Sequence, residues 1–493
     1  MASRTTKRNT GKGKAAAAYT GPELCRLTAT EVVGLLRKGE IAASEALEAS
    51  LQRIAQVEGA VNAMPTVCAD RARAALKDLG KRKRLNGRHV AWLAGLPIGI
   101  KDLTPVAGVR TTWGTKGFAD NIAETSDPLV LMLEARGGIV VGMTNTPEMG
   151  TGANTFNDVF GMTRNPWDTR KNAGGSSGGA AVSLAVGEVW LSHGSDFAGS
   201  LRTPAAYCGV VGLRPSPGRA GGAPKDLAFH TEGVQGPMAR TVADVALFLD
   251  AMAGFDPMMP ITLEAPAVPF QAAVRKATGK VRIAYAPTLG GFAEVEPEID
   301  SVLRTALTQV EKAGGRVEED CPELPDLLPT FVTLRGMAWA SLPGSLPPEI
   351  QRHFKKTLRE NIALGNKLKP EQIYKAFHAR AALYYRMQAF LETHDVLACP
   401  VVGLEPLGVE QEFPGTVNGR PLESYIDWLR YSFLATTTGL PAISVPAGLT
   451  ASGMPVGLQL IGPPRGEAKL LAVARAVEAA VNFPGTPIDP RSP

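Results

Sequence analysis

The pattern that most restricts the fold is a repeated unit of helix, glycine and buried strand. Leu129 to Ala135 reads as a helix, Gly137-Gly138 stops it, and Ile139-Val140-Val141-Gly142-Met143 follows as a run too apolar for a half-exposed strand. Leu96-Pro97-Ile98-Gly99-Ile100 is a second short apolar run, bounded by Gly95 and closed by Lys101-Asp102. The texture returns later: Val281 to Ala286 as strand, Ile299 to Ala313 as helix ended by Gly314-Gly315, then strands at Val396 to Val402, Ala442 to Val445 and Gly457 to Ile461, and a closing helix from Glu467 to Val481. Strands that are apolar on both faces need helices on both faces, so the alternation predicts an α/β sheet.

Between these units, Thr28 and Glu31 form a capping-box pattern ahead of Val32, Leu35 and Leu36 in a region, Thr28 to Leu79, that reads as helical. A second helix runs from Ser44, with Leu47, Leu51 and Ile54 on one face. Asn145 to Asn172 is a long polar segment, the kind of loop that carries function in a compact domain. Ala180 to Gly187 predicts a small-residue helix, Val189-Trp190-Leu191 a strand and Val242 to Met252 a helix; residues 325–390 predict a helical insertion over the sheet edge.

Charge narrows the function classes. Arg4, Lys7, Arg8, Lys12 and Lys14 precede the first acid, Glu23, and account for the whole net charge of +5; the rest of the chain carries 47 basic and 47 acidic residues. A neutral body argues against a general nucleic-acid binder, which needs a basic face. Residues 1–19 predict a disordered basic tail and residues 20–493 the folded body. Lys81-Arg82-Lys83-Arg84 predicts a solvated loop. The five cysteines, Cys25, Cys68, Cys208, Cys321 and Cys399, are widely spaced and never in a CxxC pair, and the six histidines are scattered. That predicts neither disulfides nor a metal site, and no cofactor motif is present. No apolar run reaches membrane-spanning length and no signal-peptide pattern follows the basic residues, so a cytoplasmic location is expected.

Three patches compete for the chemistry. Gly174-Gly175-Ser176-Ser177-Gly178-Gly179 fails as a phosphate loop because no Gly-Lys-Ser/Thr ends it. As a G-x-S-x-G nucleophile elbow centred on Ser177, it lacks the preceding strand. His193-Gly194-Ser195-Asp196-Phe197-Ala198-Gly199-Ser200 holds His, Asp and Ser, but His193 and Ser200 share one segment, which suits a structural histidine better than a triad. Lys101 ends an apolar strand, where burial would lower its pKa and leave an amine able to act as a base.

Together with Thr144-Asn145-Thr146-Pro147-Glu148, Asn165-Pro166-Trp167, Cys208-Gly209 leading to Gly212-Leu213-Arg214-Pro215, and Gly439-Leu440-Pro441-Ala442, these patches resemble the amidase signature family over nearly the whole chain. Lys101 to Ser176 spans 75 residues and Ser176 to Ser200 spans 24, both matching the family's Ser–cis-Ser–Lys triad. The resemblance implies a single large mixed sheet covered by helices on both faces, with Ser200 as nucleophile, Ser176 as bridging serine and Lys101 as base. It implies an oxyanion hole from the amides of Phe197, Ala198, Gly199 and Ser200, with Gly150, Thr151, Ser177, Ser195 and Asp196 supporting the site or facing substrate. The chain departs from the family's usual Gly-Thr-Asp-x-Gly-Gly-Ser at Ser195, which keeps the hydroxyl, and at Ala198, which narrows the backbone of the oxyanion loop.

The function implied is hydrolysis of carboxylic amides through a seryl acyl-enzyme, with esters, anilides and carbamates chemically open. Aromatics at Tyr425, Trp428, Tyr431 and Phe433 suggest a bulky apolar or aryl group in the substrate. The alternatives are an amidotransferase subunit that serves charged tRNA and a non-enzymatic amidase-like binding protein; the latter class loses triad residues, and this chain keeps all three. No nucleic-acid or membrane partner is expected, and a homodimer is the oligomer to test for.

Overall fold

The computed structural model describes residues 19–221 and 227–492. Its centre is one mixed sheet of 11 strands among the described residues. In chain order these are β1 (Thr66–Val67), β2 (Pro97–Lys101), β3 (Ile139–Thr144), β4 (Leu191–Asp196), β5 (Val211–Arg214), β6 (Val234–Ala239), β7 (Arg282–Tyr285), β8 (Arg316–Glu319), β9 (Val396–Pro400), β10 (Ala442–Leu449) and β11 (Pro455–Ile461). Across the sheet the order is β1-β3-β2-β4-β6-β5-β10-β11-β9-β7-β8. The β3-β2-β4 and β9-β7-β8 neighbours are parallel and the other pairs antiparallel.

The apolar run in β3 explains why both faces need cover. Val140 and Met143 enter one core with the helix Val242–Met252, while Ile139 and Val141 enter another with Val182 and Leu184 of the helix Gly178–Ala185. That second helix is built of small residues because it lies against backbone: a Cβ on Gly179 would sit 2.3 Å from the Asn145 amide nitrogen. The sheet edges are blunted in two ways. β1 is two residues long, and β8 is a charged Arg-Val-Glu-Glu strand.

Most expected elements stand close to their expected bounds, including the Thr28–Glu31 capping box on the helix Ala29–Lys38. Some do not. The strand expected at Val189 to Leu191 starts at Leu191 and continues to Asp196, so it carries His193 and Ser195. The basic run Lys81–Arg84 lies in the helix Leu79–Asn86, which buries no residue; it is solvated but not a loop. The polar segment Asn145 to Asn172 holds two short hairpins. The helix Arg202–Cys208 and the strands β5, β6 and β8 were not marked by the apolar pattern. The region 325–390 folds as helices Leu327–Ser341, Lys356–Gly365 and Pro370–Thr393, which pack on one another. The expected tail, through residue 18, lies outside the described residues. Tyr19 belongs to the body: its hydroxyl donates to Pro22 O at 3.1 Å and its ring faces the Arg53 guanidinium at 4.6 Å.

Candidate active site

Lys101 is the last residue of β2, at the end where β2, β3 and β4 run parallel, and it is fully buried. Its Nζ lies 2.8 Å from Ser176 Oγ, 2.8 Å from Ser177 Oγ and 3.0 Å from Ser195 Oγ. Two of these hydroxyls come from the turn that feeds the helix Gly178–Ala185, entered through a cis Gly175–Ser176 peptide, and the third from β4. Burial pushes the lysine down to about 7, against the raising pull of the Asp196 carboxylate. The amine is thus substantially neutral near pH 7. Ser177 Oγ donates to Ser195 O at 3.2 Å, so its single proton is committed and it accepts from Lys101. Ser176 has no such commitment and can donate to the amine's lone pair.

His193 is structural. Its Nδ1 accepts from Lys101 N at 3.4 Å, and its Nε2 lies 2.6 Å from Gln235 Oε1, which fixes Nε2 as the protonated nitrogen. Burial pushes the imidazole down to about 3, so it stays neutral across the working range.

Asp196 organises the segment carrying Ser200. Its carboxylate accepts from Gly199 N at 2.9 Å and Leu201 N at 3.1 Å, and it pairs with Arg202 at 2.9 Å and Arg214 at 3.3 Å, all fully buried. The two guanidiniums hold its carboxyl below the usual range even though burial opposes this. Of the four amides expected in the oxyanion hole, that of Gly199 donates to Asp196. The amides of Phe197, Ala198 and Ser200 have no acceptor among the described residues. Ser200 meets the serine turn through its backbone, where Ser177 N donates to Ser200 O at 3.2 Å; no hydrogen bond joins the Ser176 and Ser200 hydroxyls.

Gly150 closes the site from another side. It adopts φ +70°, and a Cβ there would lie 3.5 Å from Ser176 Oγ and 2.9 Å from Leu103 Cδ1. The preceding Met149 donates its amide to Trp113 O, and Asp102 anchors that loop by accepting from Thr112 N at 2.8 Å. Burial pushes the Asp102 carboxyl up to about 7. Thr151 is buried beside this turn, with its hydroxyl unpartnered among the described residues. Among the described residues no group of three or more His, Cys, Asp or Glu is placed to hold a metal ion, and no helix is long and apolar enough to cross a membrane.

The aromatic wall differs from the expected one. Trp428, Tyr431 and Phe433 are buried in the core, and Tyr431 donates to Pro287 O at 2.7 Å. The half-buried ring beside Ser200 is Phe197, stacked on His230 at 5.6 Å and edge-on to Phe331 at 6.3 Å. Phe331, from the first insertion helix, stacks on Phe433 at 3.7 Å. Phe331 and Arg335 carried no motif in the sequence, and only their place in the helix marks them.

The arrangement has known counterparts. A model of the Amidase family matches residues 45–471. The chain belongs to the amidase family. It is similar to an acylamidase of Rhodococcus erythropolis, 35% identical over 85% of this chain and 88% of the relative. It is also similar to a glutamyl-tRNA(Gln) amidotransferase subunit of Moorella thermoacetica, 32% identical over 94% of this chain and 98% of the relative. Among solved structures, a bacterial aryl acylamidase of the amidase signature enzymes superposes with a TM-score of 0.85 at 28% identity, covering 93% of this chain and 97% of that one. This amidase is accordingly a hydrolase of amides, with the mixed-sheet fold that its sequence implied.

Proposed function

We propose that the protein is a stand-alone acylamidase using Ser200 as nucleophile, Ser176 as proton bridge and Lys101 as base. The observation that carries this is the fully buried Lys101 amine, pushed down to about 7 by burial, 2.8 Å from Ser176 Oγ. Turning the Ser200 side chain toward Ser176 completes the path. Ser200 Oγ attacks the carbonyl carbon while its proton passes to Ser176 and that of Ser176 to Lys101. The oxyanion forms against the Phe197, Ala198 and Ser200 amides, each donor contributing about 3–4 kcal/mol. Collapse breaks the C–N bond, Ser176 returns a proton to the departing amine, and Lys101 restores the Ser176 proton. Water then cleaves the acyl-enzyme through the same relay and releases the carboxylic acid.

The half-buried ring of Phe197, three residues before Ser200, favours an aryl or bulky apolar group, in line with the aryl acylamidase and acylamidase similarity. The similarity to an amidotransferase subunit supports a second reading, glutamine hydrolysis in a complex that serves charged tRNA. One experiment separates the two: incubate the purified chain alone with N-acyl anilides and with glutamine, and measure amine and ammonia release. Anilide turnover without a partner is expected. Inert anilides together with ammonia release from glutamine would overturn the stand-alone reading.

A further inference from the structure

The helix Leu327–Ser341 carries two side chains, one turn apart on one face, that each keep a buried donor without an acceptor among the described residues. Arg335 is only 6% exposed, yet no carboxylate of the described residues pairs with it; its Nη2 donates to the Tyr425 hydroxyl at 2.5 Å and its Nε has no partner. Trp339 places its ring 5.5 Å from the Arg335 guanidinium, and its indole Nε1 also lacks an acceptor. Tyr425 accepts from Arg335 and from Asn361 Nδ2, so its own hydroxyl hydrogen is used in neither bond. Arg335 Nε and Trp339 Nε1 are thus neighbouring donors without an acceptor, and the Tyr425 hydroxyl hydrogen is a third that neither bond uses. A buried guanidinium without a counter-charge is costly unless a ligand supplies one.

Glu232, whose partner His230 stacks on Phe197, is already engaged. Glu232 lies 2.8 Å from His230 and 2.5 Å from Arg380. The cluster also touches the reaction. The Arg335 guanidinium lies 6.0 Å from the ring of Phe197, three residues before Ser200, and 5.9 Å from the ring of Tyr425. Aromatic faces shield the cation from water but do not offer the paired acceptors a guanidinium fork takes up.

We propose that Arg335, with Trp339 and Tyr425, binds a carboxylate on the substrate, remote from the scissile amide. This rests on the amide-hydrolysis reading and narrows it to amides that carry an acid at their far end. The carboxylate's two oxygens supply the missing acceptors, and Phe197 separates the anion from the acyl centre. Binding turns the Arg335 side chain, because its Nε lies beneath the surface without a ligand.

The test compares kcat/KM for matched substrate pairs: N-acyl anilides with a para-carboxylate or a para-carboxamide, and anilides of ω-carboxy acids of increasing chain length with their ω-amides. The wild type is expected to favour at least one acid over its neutral twin by about tenfold or more, mainly through KM. Arg335→Leu is expected to bring that ratio close to one. Trp339→Phe, which keeps the ring and removes the indole donor, is expected to lower it severalfold, and it reports even if Arg335→Leu does not fold. Calorimetric binding of 4-acetamidobenzoate to Ser200→Ala protein, with and without Arg335→Leu, reads the same site without turnover. Neutral twins turned over as well as every acid would overturn the proposal while leaving the amidase reading intact. So would binding that Arg335→Leu does not weaken, or no binding at all. No turnover of any pair would instead count against the amidase reading, with the calorimetry still deciding the anion site.

Discussion

At the scale of single residues, the buried amine of Lys101 costs stability, and under the proposed mechanism that cost serves the chemistry. A lysine held at about 7 when folded, against about 10.4 when unfolded, binds fewer protons in the native state over that interval. Stability therefore rises with pH between the two values, and the cost of the buried amine is greatest below pH 7. Lys101→Met is expected to be more stable than wild type by a few kcal/mol at pH 6, with a gap that shrinks toward pH 10, while activity falls on the order of a thousandfold or more. Urea unfolding at the two pH values checks this; a gap independent of pH would contradict it. Lys101→Arg is expected to be as inactive, since a guanidinium stays protonated. Ser200→Ala is expected to lose turnover on a similar scale and keep its melting temperature within a few degrees; amine release at the wild-type rate would remove the nucleophile assignment.

At the scale of elements, the segment from Asp196 to Leu201 is held by one carboxylate between two arginines. Asp196→Asn leaves Arg202 and Arg214 under-compensated and weakens the bonds to Gly199 and Leu201. A destabilisation of about 3–5 kcal/mol, with loss of activity, is expected in thermal unfolding and kcat/KM. An unchanged melting temperature would mean the loop is held by other contacts. This clamp also shows the limit of reading the sequence. The strands β2 and β3 and the helices flanking them were legible because their residues are apolar on both faces. β5, β6 and the helix Arg202–Cys208 were not, because Gly, Arg, Pro and Gln interrupt the pattern and their burial depends on partners distant in sequence. Spacing and resemblance single out Lys101, Ser176 and Ser200 as candidates, and the fold brings Lys101 Nζ within 2.8 Å of Ser176 Oγ. Arg202 and Arg214 were visible as residues, but their convergence on Asp196 follows only from the packing of β4 against β6 and β5. Trp428 and Tyr431 looked like substrate wall for the converse reason: aromatic content alone does not say which way a ring faces.

At the scale of the molecule, a buried carboxyl pair outside the site, Glu58 and Glu188, adds a second pH dependence. Glu58, near the end of the helix Ala43–Val61, accepts from the amides of Ala63 and Met64, and Glu188 lies fully buried just ahead of β4. Burial raises both carboxyls, Glu188 more strongly, with the Glu58 charge as a further cause. A carboxyl with a raised folded pKa keeps its full contribution below the unfolded value of about 4.3 and loses it as pH rises through the folded value. The pair therefore contributes a decline from mildly acidic toward alkaline pH, opposite in sign to the contribution of Lys101. Glu188→Gln, which cannot ionise, is expected to flatten that decline, read from denaturant midpoints between pH 5 and 9. Parallel curves for the two proteins would show that the pair does not titrate there.

The most direct measurement of the central claim is the rate at which an aryl phosphonate labels the enzyme as a function of pH, with the adduct located by peptide mass mapping. The adduct is expected on Ser200, forming at a rate that falls as pH drops below about 7, because protonating Lys101 removes the base. In Lys101→Ala the labelling is expected to be slow and without that acid limb. An adduct on another residue would contradict the account. So would an acid limb that persists unchanged in Lys101→Ala, which would assign the titration to the Asp102 carboxyl, also held at about 7.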